Sequence, residues 1–263
     1  MMPAPRSESE DATLYQHSAE FFDIRYAHKD YASEVAVFRK LVDRLHPGAA
    51  SLLDVACGTG RHVEHLRSRY RVEGLDLNPR LLTIARARLD DVPLHEADMA
   101  SFSLKRSFDV VTCFFASIAY LHGLERLRDS ISSMAAHVAP GGILFLEPWL
   151  TPSVYRENEV VHNFRRTSER AVSWMYVMRR QGPLAVWDIH WLVGSPEGGV
   201  AHFVEREELS LFTTAECEDA MRDAGLDVVH HARGLHGYGA FVGRKSRTWS
   251  ADEIASIADT LSG

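Results

Sequence analysis

The chain has 263 residues, 46% of them hydrophobic, and a formal net charge of −7. That is enough apolar material for one large domain, and the wrong sign of charge for a protein that grips nucleic-acid phosphates. No apolar run reaches the roughly 18 residues that span a bilayer, residues 1–8 lack a signal-peptide core, and the three cysteines (57, 113 and 217) form no C-x-x-C; a cytoplasmic protein in a reducing compartment is expected.

Residues 1–12, rich in Pro, Ser and acids, read as a mobile tail. Five aromatics follow (Tyr15, Phe21, Phe22, Tyr26 and Tyr31), and then an amphipathic helix over 31–45 with Val35, Phe38, Leu41 and Val42 on one face. His46-Pro47-Gly48 breaks the chain. Residues 51–56 form an apolar strand that Gly58-Thr59-Gly60 turns into a helix near Arg61; a second strand, 71–75, stops at Asp76. Glycines at such a turn let the backbone approach a ligand, and an acid at the tip of the next strand suits a ribose diol. A third glycine and a P-loop lysine are both lacking, so neither the dinucleotide nor the triphosphate pattern is met.

Asn78-Pro79 caps a helix to about Leu89, residues 92–96 form a third strand ahead of Ala97-Asp98-Met99, and 108–114 form a fourth of the buried type. A helix over 123–138 leads through Pro140-Gly141-Gly142 to a fifth strand, 143–146, ending in Glu147-Pro148-Trp149. This alternation predicts an α/β fold, Rossmann-like, with a doubly wound, mostly parallel sheet. After Trp149 the period changes: 170–179, 186–193 and 200–212 are β-rich and separated by turn sequences, with Trp174, Tyr176 and Met178 on one face and Trp187, Ile189 and Trp191 on the next. An inserted antiparallel platform over 170–212 is expected. Thr213-Thr214 then caps a helix, 226–230 and 239–243 close the sheet as a strand pair, and 250–262 form a C-terminal helix.

The strings D-V-A-C-G-T-G, G-L-D-L-N-P and A-D-M resemble motifs I, II and III of the class I methyltransferases that use S-adenosylmethionine (SAM) and release S-adenosylhomocysteine (SAH). The resemblance implies a cofactor core over 50–149 and a helical lid over 13–46. It also implies a cofactor site in which the glycine turn lies under the methionine, Asp76 holds the ribose, and Asp98 and Met99 face the adenine. Candidate cofactor residues are therefore Tyr15, Tyr31, Asp54, Ala56, Gly58, Thr59, Gly60, Asp76, Leu77, Asp98, Met99 and Phe114.

Further on, C-F-F-A-S-I-A-Y-L, E-P-W, S-P-E-G-G and L-S-L-F-T-T-A-E-C-E-D-A-M-R-D-A-G-L look like the N,N-dimethyltransferases that act on TDP-linked amino sugars in macrolide biosynthesis. That similarity implies substrate entry between platform and lid, subunits that pair (a dimer through the platform), Tyr15 and Tyr31 at the sulfonium end, and Tyr120 at the acceptor amine. In-line methyl transfer needs alignment first and only a modest proton acceptor when the nucleophile is an amine. Tyr120 and His122 are the catalytic candidates, and Tyr120, Glu147, Trp149, Arg165, Arg166, Trp174 and Trp191 the substrate candidates; Arg165, Arg166, Arg179 or Arg180 would serve a diphosphate.

The platform tryptophans suit a flat, alkaloid-type amine equally well. O-methylation of a small molecule, and cofactor binding without turnover, remain alternatives. The N-P-P-Y-like tetrapeptide of nucleic-acid and protein N-methyltransferases is replaced by Phe114-Phe115-Ala116-Ser117, and no metal is expected because the fourteen histidines show no H-E-x-x-H or Cys/His spacing.

Overall fold

The computed structural model describes Tyr15 and residues 17–262, so the tail expected over 1–12 lies outside the described residues. A 3-10 turn, Ser18–Phe21, runs into the short helix α1 (Phe22–Arg25), and α2 (Tyr31–Leu45) follows. Asp30 starts α2 by accepting the Ser33 N–H, and the apolar stripe from Val35 to Leu45 is buried, as its helical spacing requires.

The central sheet then grows by β-α alternation: β1 (Ser51–Val55), α3 (Arg61–Leu66), β2 (Arg71–Asp76), α4 (Pro79–Arg88), β3 (Leu94–Glu96), β4 (Phe108–Cys113), α5 (Leu124–Ala136) and β5 (Val138–Leu146). After the insert come α6 (Thr214–Asp223), held by a capping box between Thr213 and Glu216, then β11 (Leu226–His231), β12 (Ala240–Lys245) and α7 (Ala251–Ser262). The strand order is β11-β12-β5-β4-β1-β2-β3, with β12 antiparallel to both neighbours and the other six running in one direction. The chain winds outward from β1 to β3 and restarts at β4, so a crevice opens at the carboxyl ends of β1 and β4.

The insert is a second sheet: β6 (Val160–Arg166), β7 (Ala171–Val177), β8 (Arg179–Gln181), β9 (Leu184–Ser195) and β10 (Gly199–Ser210), in the order β10-β9-β7-β6 with β8 pairing β9 beyond the end of β7. Two expectations need correction. The single strand over 170–179 is interrupted at Met178, whose N–H and carbonyl bond Glu159 and Asn158 instead. The platform, expected over 170–212, begins earlier, because Val160–Arg166 adds a strand paired to β7. Among the described residues no helix is long and apolar enough to cross a membrane.

Candidate active site

The glycine turn is the tightest piece of the site. Ala56, Gly58 and Gly60 all have positive φ, and a Cβ built on Gly60 would lie 2.5 Å from Leu89 Cδ1, so glycine there is needed for packing α4 against the turn. The turn is tied to the second strand by its acid: the Gly58 N–H donates to Asp76 Oδ2 at 2.7 Å and the Asn78 N–H to Oδ1 at 2.8 Å. Burial raises the Asp76 pKa, and those N–H groups oppose the rise.

Around this turn lies a cavity of about 1100 Å³, running from the sheet edge under the lid to the platform. At one end it is lined by Asp76, Leu77, Asp98 and Met99; Ala56 and Gly58 line its floor, and Tyr15, Tyr120, Glu147, Trp149 and Trp174 line the rest. Asp98 is held by Arg126 at 2.6 Å and accepts the Ala100 N–H; burial pulls its pKa up, but these partners outweigh burial and leave it low. The Tyr15 and Tyr120 hydroxyls meet at 2.5 Å.

The other sequence candidates lie elsewhere, each for a physical reason. His122 is exposed because the 3-10 turn Ser117–Tyr120 gives way to an extended Leu121, leaving its Nε2 3.4 Å from the Glu208 carbonyl. Trp191 is buried behind the cavity wall, between Trp174 and Phe203. Arg165 reaches the rim through His28, 3.3 Å away, whereas Arg166, the next residue on the strand, takes the opposite face. Tyr31 packs on His62, and Phe114 is a core residue against Phe38 and Phe145. Thr59 and Gly60 serve the turn itself, with the Thr59 hydroxyl donating to Asp23 at 2.7 Å.

Asp54 is likewise a core residue, 1% exposed, accepting a 2.8 Å bond from Thr112. Burial lifts its pKa from 3.8 to about 7 against that bond. A folded-state pKa above the unfolded one means the folded chain holds the extra proton, so stability falls as pH rises from about 4 to about 7. Asp54→Asn, which keeps the Thr112 bond, should therefore be more stable than wild type by roughly 1–4 kcal/mol at pH 8, with the gap closing near pH 4. Thermal melts across pH check this.

Several cavity residues had escaped the sequence. Arg25 on α1 and Glu207 on β10 form a buried ion pair, Nη1 to Oε1 2.5 Å, with side chains 6% and 3% exposed. Lys29, Glu34 and His236, with His62 behind them, form a second cluster that joins the sequence candidate Glu147: Lys29 Nζ is 2.5 Å from Glu34 and 2.6 Å from His236 Nε2, His62 is 3.0 Å from Glu34, and His236 is 3.2 Å from Glu147. Glu34, His62 and His236 have the donor types for a metal, but the Lys29 ammonium already places a cation among them. The contacts within each group span much of the chain, and no local pattern announces them.

Comparison with known proteins places this geometry. Residues 52–142 match a methyltransferase domain family. The chain is 40% identical over 228 residues to the dTDP-3-amino-3,6-dideoxy-alpha-D-glucopyranose N,N-dimethyltransferase of Streptomyces fradiae, covering 86% of this chain and 89% of that one. The chain belongs to this family of SAM-dependent methyltransferases. Its fold superposes on DesVI of Streptomyces venezuelae with a TM-score of 0.82 at 39% identity, over 86% of this chain and 98% of that one. It also superposes on SAM-bound CalS10, an amino pentose methyltransferase from Micromonospora echinaspora, with a TM-score of 0.78 at 35% identity, over 91% and 100%.

The residues present fit SAM. Asp76 spends one lone pair of each oxygen on backbone N–H groups and has others for a diol. Leu77, 63% exposed yet lining the cavity, offers an apolar surface for a base. Glu147 has a buried Oε1 with no partner among the described residues, an acceptor that suits a ligand donor.

Proposed function

We propose that this enzyme methylates the amine of a nucleotide-linked amino sugar in antibiotic biosynthesis. The observation that carries the reading is the lining of the cavity together with the family: sheet-edge residues such as Asp76 and Asp98 line it along with Tyr15, Tyr120 and the platform residues Trp174, Tyr176 and Trp187. When bound, SAM supplies an electrophilic methyl group on a sulfonium. Burial raises both phenol pKa values of the Tyr15–Tyr120 pair well above the usual range, so these groups stay neutral and orient the amine rather than store its proton. At the rim, Arg165 and His28 face each other and, among the described residues, neither pairs with a carboxylate, which suits a diphosphate. Arg179 and Arg180 are spent on Asn158 and on the Gly182 carbonyl. Incubation with SAM and dTDP-3-amino-3,6-dideoxyglucose should give product carrying one and then two added methyl groups by mass spectrometry; SAM binding without any transfer to this amine would refute the acceptor assignment.

The same reading includes a dimer through the platform. Val160, Phe164, Met175, Leu192, Val200 and Val204 are all exposed and fall on its outer face by strand alternation. Four strands of this length offer roughly 700 Å² per subunit, close to a standard interface, and a second copy supplies the matching apolar face. Met175→Arg should convert the dimer to monomer in analytical ultracentrifugation; an unchanged sedimentation coefficient would exclude this face. A reducing cytoplasm suits the three free, buried cysteines.

A further inference from the structure

The amine acceptor poses an electrostatic problem that the two phenols do not solve. An aliphatic amine is largely protonated at neutral pH, and an ammonium enters a buried cavity only against a counter-charge. It must also lose a proton before its nitrogen can act as a nucleophile. Tyr15 and Tyr120 are neutral, and His122 is outside the cavity.

Four carboxylates line the cavity beyond the cofactor's sheet-edge acids, and two of them are spent elsewhere: Asp30 caps α2 through Ser33, and Glu34 is held by Lys29, His62 and His236. Glu147 lies at the tip of β5, on the sheet side of the cavity; its Oε2 takes the Phe115 N–H at 2.8 Å and His236 at 3.2 Å, and its Oε1, without a partner among the described residues, is left for the cofactor end. Glu207 lies on the inner face of the platform, opposite Trp187 in the strand register and lining the cavity with Trp174 and Tyr176. Arg25 takes its Oε1 at 2.5 Å and its Oε2 more loosely at 3.4 Å, so the second oxygen keeps acceptor capacity. The groups whose charge Glu207 influences are Arg25, Tyr15, Tyr26, Tyr120 and Tyr176, of which only Arg25 is a cation.

Resting on the amino-sugar reading above, we infer that Glu207, oriented by Arg25, is the carboxylate that receives the acceptor ammonium and takes its proton. The N–H bond breaks with its electron pair left on nitrogen, the proton passes to a Glu207 oxygen, and the carboxylic acid so formed returns it to solvent as product leaves. Arg25 is a positioning residue here. Its guanidinium stacks over Tyr26 and Trp191, at 5.2 and 5.6 Å to the ring centroids, and so fixes the carboxylate between lid and platform. The pair thus selects an amine over a hydroxyl, because a neutral hydroxyl brings no charge to balance the carboxylate.

The test is calorimetric, on SAH-loaded protein, with dTDP-3-amino-3,6-dideoxyglucose and its 3-hydroxyl analogue as paired ligands. Glu207→Gln should weaken the amine ligand by about 10- to 100-fold and leave the hydroxyl analogue and SAH within about 3-fold; Glu147→Gln should not abolish this discrimination. In turnover, Glu207→Gln should raise KM for the amine and shift the acid limb of the kcat/KM profile, and Glu207→Asp should recover part of both. Should Glu207→Gln not fold, the double variant Arg25→Gln/Glu207→Gln keeps a neutral hydrogen-bonded pair and carries the same expectation. Unchanged amine affinity in either folded variant, or loss of discrimination in Glu147→Gln alone, overturns the role. Failure of wild type to bind either ligand while binding SAH is a different result: it overturns the nucleotide-sugar reading, and this role with it.

Discussion

Asp76→Ala should abolish measurable binding of SAH in isothermal titration, a loss of at least about 100-fold. One carboxylate holds two backbone donors, the Gly58 N–H and the Asn78 N–H, and it is only 8% exposed. Removing it strands both donors, at about 1–3 kcal/mol each, and deletes a charged acceptor for a diol worth a similar amount. The first stranded donor belongs to the glycine turn itself, so the variant loses both a contact and the shape of the floor. Asp76→Asn should rescue little, because its amide NH2 must oppose one of the two N–H groups. An Asp76→Ala protein that binds SAH within 3-fold of wild type would show that the acid ending β2 does not hold the cofactor.

The second large effect concerns stability. Arg25→Met should destabilise the protein by about 3–5 kcal/mol in urea melts, since it leaves the Glu207 carboxylate buried without its ion-pair partner. Arg25→Met/Glu207→Met should recover most of that loss, because replacing both partners removes the orphaned charge and keeps the volume beside Trp191 filled. A double variant as unstable as the single one would mean that stacking on Tyr26 and Trp191, rather than charge, holds the lid to the platform. Recovered stability with lost amine binding would separate the two duties of the pair.

Which parts of this site could be read in the sequence follows from the range of the interactions. Asp76 and Leu77 end an apolar run that reads as a buried strand, so their place at the sheet edge was legible from local pattern, whereas Asp98 and Met99 follow a short, half-exposed strand and were legible through resemblance. Tyr120 was legible through resemblance, and it lines the cavity. His122 was not separable from it, because two residues of a 3-10 turn and its exit decide which of them points inward. β6 was missed because its exposed face carries Val160 and Phe164 while Asn163 and Arg165 point toward the cavity side, the reverse of ordinary apolar-in alternation. Trp191 has the right parity on its strand but stands where the inner face is covered by Phe21 and Arg25 instead of ligand. The pairing of Arg25 with Glu207 joins residues 182 apart in the chain, and nothing near either one signals the other.

That separation also bears on how the molecule is made. The segment from His17 to Arg25 finds its partners on β10: Glu205 accepts the N–H groups of His17 and Ser18, the latter at 3.0 Å, and Glu207 accepts Arg25. During synthesis this segment leaves the ribosome 182 residues ahead of its partner on β10 and has no binding surface until the platform has been translated and paired. A segment made before the platform is thus among the last to settle, and until it does the indole of Trp191 lacks the cover of Phe21 and Arg25.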